Sequence, residues 1–585
     1  MLAAKRWEEL TVLARSLCVR YPRNTLGWRA LASAQLHGGA MADALDTLSQ
    51  VMKLTPGDAN AHNDMGYAHL AMGQQQAAKA SFLQALKLNP RLAIAHNNLG
   101  MVAGKMGQLE EAEAAYRKSL AINPDVPAAL NNLAAVLQDM ARPTEAEPLV
   151  RRALDLLPNY YDAWFNLGSI LSSLTRWDDA VSAFRQAIAL HPDAEAALVA
   201  LGTLQSKFAE RDAESIHCLN RAIAVNPNNA AAYIALANVY LRIKEMPRAW
   251  DLYRRAQDLQ PFVTWRTKQP TPDFSVLLLD SPGAGSTPVD YLVGQATYNR
   301  HFYCVMPQGQ HDIALLRSKA DVVINMLADA DNGQEILPRA LELANQLDRP
   351  VVNHPSKIMR TDRESMARLL ASIPKCHAPR TVRMSETGLA QAVASGGIPG
   401  FPMPVVVRLA GTHGGDDMEK VDSWQAVGEF VARHPGQVFY LAEYVDYQSA
   451  DGWFRKYRLI CVDGAWFPYH LAIHKDWKVH YFRTAMVDHA WMREEEEAFL
   501  RAPEGVFDQA CFDALHAITA ASGLEYYGID CALTNDCCLL VFEANATMLV
   551  HDEKEAPFTS KNRYIGNIKI AFDAMLARLA RWKKV

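Results

Sequence analysis

No run in this 585-residue sequence approaches the ~18 consecutive apolar residues that a membrane-spanning helix needs, so a membrane span is not expected. An excess of one charge is missing too. Fifty-nine Lys and Arg stand against 64 Asp and Glu, and the formal net charge of −5 gives no electrostatic case for nucleic acid or an anionic membrane as partner. The first residues, Met1-Leu-Ala-Ala-Lys-Arg-Trp-Glu-Glu9, turn charged at once and carry no apolar signal core. The nine cysteines are scattered, with no CxxC pair and no disulfide-framework spacing. Even the adjacent Cys537-Cys538 reads as packing at a strand edge. These absences lead us to expect a cytoplasmic protein with reduced, mostly buried thiols. A Walker phosphate loop and a Gly-x-Ser-x-Gly nucleophile elbow are both lacking. What is present is ordinary globular composition, 50% hydrophobic and 21% charged, with a length that suggests roughly four domains of about 150 residues.

Proline carries the first positive pattern. Pro22, Pro56, Pro90, Pro124, Pro158, Pro192, Pro227 and Pro261 are spaced by 34 residues, with a single interval of 35. Small residues recur inside the period at Met65-Gly66, Leu99-Gly100, Leu133-Ala134, Leu167-Gly168, Leu201-Gly202 and Leu236-Ala237, where two helices must approach closely. This period resembles the tetratricopeptide repeat, a helix–turn–helix unit. The resemblance covers residues 1–262 as about seven and a half repeats, residues 1–22 being a lone second helix. It implies an all-α superhelix whose concave face is lined by the first helices. Directly before the Leu-Gly/Ala step stand Asp64, Asn98, Asn132 and Asn166, with Asn63, Asn97 and Asn131 one residue earlier; the series lapses at Ala200 and Ala235. Amides donate and accept, so a ladder of them can hold an extended peptide backbone whatever its sequence. The arrangement is similar to the asparagine ladder of O-linked N-acetylglucosamine transferases, which implies a peptide groove at Asn98, Asn132 and Asn166. The plainer reading is a set of ordinary exposed polar positions.

After a linker at 263–273 the periodicity changes to strands alternating with helices, the pattern of a parallel α/β layer. Ser275–Asp280 reads as a buried strand, followed by a Pro/Gly loop and a helix to about Arg300. Strands at Phe302–Met306 and Asp321–Leu327 follow, then a helix over Gln334–Leu347. The Gly283-Ala-Gly285 loop lacks a third glycine and the acidic residue ~20 positions on, so it reads as a substrate-contacting loop or a plain turn. Pro404–Leu409 is a strand that carries Arg408 and runs into Ala410-Gly-Thr-His-Gly-Gly415. A cation followed by glycine-rich backbone can cradle phosphates. Gln437–Val445 is an apolar strand with an acid near its end, and Lys456 and Arg458 are two cations on one face of the next strand. Finally Tyr526–Met548 reads as a hairpin carrying Asp530 on one strand and Glu543 and Asn545 on the other. Those side chains are hard oxygen donors suited to Mg2+.

In this order the pieces resemble an ATP-grasp domain over roughly residues 275–580, with 274–360 as the preceding α/β domain and 361–585 as the α/β–α+β ATP-grasp domain. The resemblance implies ATP and Mg2+ as cofactors. It places Arg408 on phosphate or adenine, and Gly411, Thr412, His413, Gly414 and Gly415 in a flap over the phosphates. Leu441, Glu443, Tyr444 and Val445 fall in the segment that reads adenine, with Glu443 near the ribose. Arg458 falls on phosphate or an acyl-phosphate, and Asp530, Glu543 and Asn545 on Mg2+. Three positions depart from the family pattern: arginine where lysine is usual at 408, Arg363 or Lys357 at the earlier basic position, and Thr547 where a basic residue often follows Glu-x-Asn-x. His470, His474 and Lys475 are further candidates for the acceptor side of the cleft. Arg493-Glu-Glu-Glu-Glu497 reads as a solvated helix face. The implied activity is ATP-dependent ligation, a carboxylate activated as an acyl-phosphate and joined to an amine or other nucleophile, with the repeats recruiting a peptide or protein. The alternatives are a scaffold that binds ATP structurally and a kinase-type phosphotransferase.

Overall fold

The computed structural model describes residues 7–267, 269–282, 287, 289–293, 296–412, 417–479, 481, 484–554 and 557–581. The chain divides into two compact units, Met1–Ile243 and Lys244–Val585. No helix among the described residues is long and apolar enough to cross a membrane.

The first unit is all helix. A lone helix, Trp7–Arg20, precedes pairs that run from Thr25–His37 with Met41–Leu54 to Glu195–Gln205 with Asp212–Val225, followed by Ala230–Arg242. Three of the pairs close where a glycine faces a ring, and a fourth where Gly202 faces Leu219. A Cβ at Gly100 would stand 2.8 Å from Tyr116, and Gly66 and Gly168 meet Phe82 and Phe184 in the same way. The core is correspondingly rich in alanine, with Ala112, Ala134, Ala146 and Ala180 fully buried. Between repeats run ion pairs such as Arg142–Glu113 (2.8 Å) and Arg176–Glu147 (2.7 Å). On a solvated surface each contributes about 0–1 kcal/mol. The next helix in the series, Met246–Leu259, belongs to the second unit. There Gln257 Nε2 donates to Cys304 O at 2.9 Å and Trp250 packs on the sheet core.

The strands of the second unit are β1 (Val263–Trp265), β2 (Ser275–Asp280), β3 (Asn299–Cys304), β4 (Val322–Asn325), β5 (Val351–Val352), β6 (Cys376–His377), β7 (Thr381–Ser385), β8 (Val405–Leu409), β9 (Met418–Val421), β10 (Val438–Glu443), β11 (Phe454–Val462), β12 (Ala465–His474), β13 (Tyr526–Leu533) and β14 (Leu539–Asn545). They form three sheets, ordered β1-β3-β2-β4-β5, β7-β10-β8-β9 and β12-β11-β13-β14-β6. In the first sheet β2 to β5 are parallel, and β1 adds to the edge antiparallel to β3. The stretch expected as a linker therefore begins as a strand. The helix expected to run to about Arg300 is, among the described residues, a single turn at Val289–Tyr291, and Asn299 and Arg300 already belong to β3.

Alternation decides which side chains reach the space between the second and third sheets. In β8 and β10 the residues Val405, Val407, Phe439 and Leu441 pack against the helices Glu386–Ala394 and Trp424–Ala432, which leaves Val406, Arg408, Tyr440 and Ala442 on the other face. In β11 and β13 Tyr457, Leu459, Tyr527 and Ile529 enter the core shared with the first sheet, and Lys456, Arg458 and Asp530 point opposite. The strand β14 needs a further device. Its register with β13 slips between Asp530 and Cys531, so Phe542 has no partner. That bulge lets Leu539 and Val541 face the core while Glu543 and Asn545, an even number of positions away, face outward with Ala544 and Ala546 in the core. A second slip, at Arg458/Leu459, leaves Tyr469 of β12 as the extra residue next to Pro468.

The solvated reading of Arg493–Glu497 is corrected. Helix Ala490–Arg501 buries Met492, Glu496, Phe499 and Leu500, a helical stripe on which Glu496 falls. Its carboxylate accepts from Leu471 N at 3.3 Å and pairs with buried Lys561 at 3.2 Å.

Candidate functional site

A cavity of about 630 Å3 lies within the second unit, walled by the outward faces of the second and third sheets, the loop after β4 and the helix Arg363–Leu370. Of the residues singled out above, it gathers Arg408, Glu443, Tyr444, Val445, Arg458, Asp530, Glu543 and Asn545.

Arg408 is 9% exposed. It donates through Nη2 to Thr412 O, while its buried Nε has no hydrogen-bond partner. Burial, then the nearby charge of Arg363, pulls the guanidinium down to about 10. Beneath it Tyr440 donates to both oxygens of Asp331, at 2.8 and 2.9 Å. Gly411 has φ +71, and a Cβ there would meet Asn332 Oδ1 at 2.6 Å. Its carbonyl accepts from Asn332 Nδ2 at 3.0 Å, so only glycine fits this turn. Gly411 and Thr412 stand beside the cavity without entering its wall; His413, Gly414 and Gly415 lie outside the described residues.

A row of titratable side chains crosses the third sheet. His470, Arg458, Asp530 and Glu543 are successive cross-strand neighbours on β12, β11, β13 and β14. Asp530 accepts from Arg458 Nε at 2.6 Å and Nη2 at 3.0 Å, and Lys456 Nζ lies 3.0 Å away. Burial works to raise this carboxyl, but Arg458 and Lys456 outweigh it and hold the group far below the usual aspartate range. Glu543 pairs with Arg363 Nη2 at 2.9 Å and accepts from Asn545 Nδ2. Thr547 fixes the other end of that amide, donating to Asn545 Oδ1 from N at 3.0 Å and from Oγ1 at 2.8 Å. No group of three or more His, Cys, Asp or Glu stands at metal-holding spacing among the described residues. The donor set of two carboxylates and one amide oxygen is that of a hard divalent cation sharing its coordination with a ligand's oxygens, so the residues fit Mg2+ on those terms.

Leu441 is corrected. It is fully buried against the helices, and β10 is paired on both sides, so its main chain lies inside the ladders. The segment at the cavity wall is Glu443–Val445. Glu443 N donates to Arg380 O at 2.9 Å, and the Tyr444 ring carries Lys420 Nζ at 3.7 Å and meets Trp477 edge-on at 5.7 Å. The candidates His470, His474 and Lys475 are not in the cavity wall. His470 is 6% exposed and stacks on Tyr481 at 4.5 Å; burial, then Arg458, push its imidazole well below the ordinary value. His474 Nδ1 accepts from Asp476 N at 2.9 Å, and Lys475 sits over the Trp453 ring at 4.0 Å.

Asp331 and Lys478 join the wall without having been singled out; Arg363, one of the two candidates for the earlier basic position, and Lys456, one of the two same-face cations, line it as well. The structure decides between Arg363 and Lys357. Arg363, Met366, Ala367 and Leu370, at helical spacing, all line the cavity. Its rival Lys357 pairs instead with Glu525.

In the first unit the amide series is arranged differently from a ladder open along its length. Asn98 Nδ2 donates to Asn63 Oδ1 at 3.0 Å, and Asn166 Nδ2 donates to Asn131 Oδ1 at 2.9 Å. Each joins one repeat to its predecessor. Asn63, Asn98 and Asn131 are buried, while Asn132 and Asn166 are partly exposed.

Tetratricopeptide repeat family models match residues 59–92, 93–126, 125–193 and 209–263. The helix pairs of residues 59–263 are tetratricopeptide repeats. No curated protein matches the chain. Solved structures similar to it include the Cut9–Hcn1 hetero-tetramer of APC/C (20% identity, TM-score 0.38, 40% of this chain and 46% of that one). Others are YrrB, a repeat protein with an unusual peptide-binding site (22%, 0.28, 34% and 97%), and PilF of Pseudomonas aeruginosa (21%, 0.32, 35% and 92%). The chain thus spans less than half the length of the first of these.

Proposed function

We propose that the second unit is an ATP-dependent ligase of the ATP-grasp kind and that the repeats recruit its peptide or protein substrate. The observation that carries the reading is Arg408: a guanidinium buried to nine-tenths, one N–H without a partner, facing a cavity beside Arg363. Keeping a cation so poorly compensated is unfavourable unless an anion arrives, and a guanidinium matches phosphate oxygens bidentately. Asp530, Glu543 and Asn545 would hold Mg2+, which supplies charge neutralisation of the phosphates when bound. In the reaction a substrate carboxylate oxygen attacks the γ-phosphorus and the bond to the bridging oxygen breaks, releasing ADP. An amine then attacks the acyl carbon, loses a proton, and inorganic phosphate leaves. Arg408 and Arg458 stabilise charge on the transferring group, and the apolar wall of Met366, Leu370 and Val406 limits water.

Tetratricopeptide repeats commonly bind peptides or proteins, which supports the recruiting role and equally a second reading. Arg458 and Lys456 are both engaged by Asp530, a self-sufficient arrangement that favours a scaffold holding nucleotide as a structural or regulatory ligand. The test is ADP release by the full chain with MgATP and a panel of peptides and amines, run beside Glu543→Ala. Substrate-dependent ADP release that the variant lacks supports the ligase. MgATP raising the melting temperature without any substrate yielding ADP supports the scaffold. No thermal shift at all removes both nucleotide readings.

A further inference from the structure

We propose that Arg363 is a positioning residue that locks the divalent-cation ligand Glu543 in the ligand-free protein, so that metal and an anionic phosphate chain enter the cleft as coupled ligands. The inference rests on the triphosphate reading of the cleft and adds an order to it.

Both carboxylates of the donor set already have cations. Asp530 is engaged at both oxygens by Arg458 and Lys456, three contacts between 2.6 and 3.0 Å. Glu543 is engaged at Oε1 by Arg363 Nη2 at 2.9 Å and by the Asn545 amide. A divalent cation arriving alone would be repelled by three positive side chains in a partly desolvated cleft, where charges interact more strongly than in water. The two holds differ in strength. Asp530 is 3% exposed and paired with two cations, whereas the Arg363 and Glu543 side chains, joined at 2.9 Å, are 19% and 22% exposed. Arg363 is therefore the cation that a ligand can draw away. It has somewhere to go, because it lies close enough to Arg408 to depress that guanidinium and both line the same cavity. A phosphate chain bound by Arg408 presents oxygens to Arg363, the pair with Glu543 opens, and Glu543 becomes a ligand. By linkage the metal must then tighten the phosphate ligand by the same factor.

The experiment is Mn2+ binding to the full chain, followed by electron paramagnetic resonance of the unbound ion, with no nucleotide present. Arg363→Met is expected to bind Mn2+ about tenfold more tightly than wild type, within the roughly 5–150-fold range of such couplings. Arg363→Lys, which keeps the charge, should return toward wild type, and adding Glu543→Gln to Arg363→Met should abolish the gain. A simple loss of packing would not give tighter metal binding. Arg363→Met binding Mn2+ no better than wild type overturns the proposal, and Arg363→Lys matching Arg363→Met overturns the charge lock. The nucleotide reading is judged separately, by the melting shift of wild type with a magnesium-loaded, non-hydrolysable ATP analogue. A missing shift with the Mn2+ gain intact overturns that reading and leaves the lock on Glu543 standing.

Discussion

The two units bury polar groups in opposite ways. In the repeats, buried polarity is neutral: Asn98 pairs with Asn63, partly exposed Asn166 with Asn131, and Ser215 Oγ with Gly202 O at 2.7 Å, while Gln35 Oε1 and Gln205 Oε1 are left without a partner. The array's ion pairs stay on the surface, where they contribute little. In the second unit charge itself is buried. Asp530 sits among cations, Lys561 among Glu496, Glu553 and Tyr481, and Arg408 keeps an N–H without any partner. Neutral pairs complete a stack of helices and ask for nothing further. Buried charges that are over-compensated at one carboxylate and under-compensated at one guanidinium describe a site waiting for a ligand of defined charge.

The largest expected effect comes from breaking the charged arrangement at its centre. Asp530→Ala leaves Arg458 and Lys456 facing each other in the interior without their anion, and removing one partner of a buried pair typically costs about 3–5 kcal/mol. Urea unfolding of the full chain should show this loss in the transition of the second unit while the repeat transition keeps its midpoint. Equal movement of both transitions would sink the idea that the strain is confined to the cleft.

Arg408→Met sharpens the same contrast from the other side. Removing a poorly compensated buried cation should leave the ligand-free protein as stable as wild type or slightly more so. Wild type should gain about 2.7 kcal/mol from a nucleotide at 100 times its dissociation constant, and the variant should lose most of that gain. Differential scanning fluorimetry with and without MgATP reads both halves.

How much of this was legible beforehand also divides by region. The repeats announced themselves because one packing problem, a small residue where two helices close, recurs every 34 residues; a ring fills the space at Gly66, Gly100 and Gly168, and Leu219 fills it at Gly202. The strands of the second unit were legible as apolar runs, and the same-face placement of Glu543 and Asn545 followed from a period of two. What could not be read was the bulge at Phe542. It turns that face away from Leu539 and Val541, and it depends on pairing between strands that local sequence does not express. Leu441 was misplaced for a similar reason: its role is decided by β10 being paired on both sides. Glu496 was misread because four consecutive acids look solvated until the stripe Met492–Glu496–Phe499 is aligned with Lys561.

A smaller effect should appear with pH. His470 is surrounded by Arg458, Lys561 and Lys456, with Asp530 the opposing charge, and its imidazole is held well below the ordinary value. The unfolded chain therefore takes up that proton first. Its contribution to stability is complete above about pH 6.5 and falls as the pH drops, at no more than ~1.4 kcal/mol per unit. Asp530, whose folded value is depressed, adds stability that is complete above about pH 4 and declines only below it. Melting temperatures from pH 7.5 to 4.5 should show a decline starting near 6.5 that His470→Phe reduces, the remainder belonging to His301, His311 and His354, whose imidazoles burial also pulls down. A decline unchanged in that variant would assign it to other groups.

The smallest effect tests the neutral side of the comparison. Asn98→Leu removes the donor to Asn63 Oδ1, and both residues are buried, so one acceptor is left without its partner. The expected cost is about 1 kcal/mol, most of it the desolvation of the orphaned oxygen. Replacing both, Asn63→Leu with Asn98→Leu, removes the polar groups together and should be nearly neutral, because the gross strength of a hydrogen bond largely cancels against water in the unfolded chain. The double-mutant cycle in urea therefore has a defined sign: the pair of substitutions should be less damaging than the single one. If the double variant instead loses the sum of both single losses, the amides act independently, each on its own surroundings. The series would then return to the reading in which its members face an extended peptide one by one.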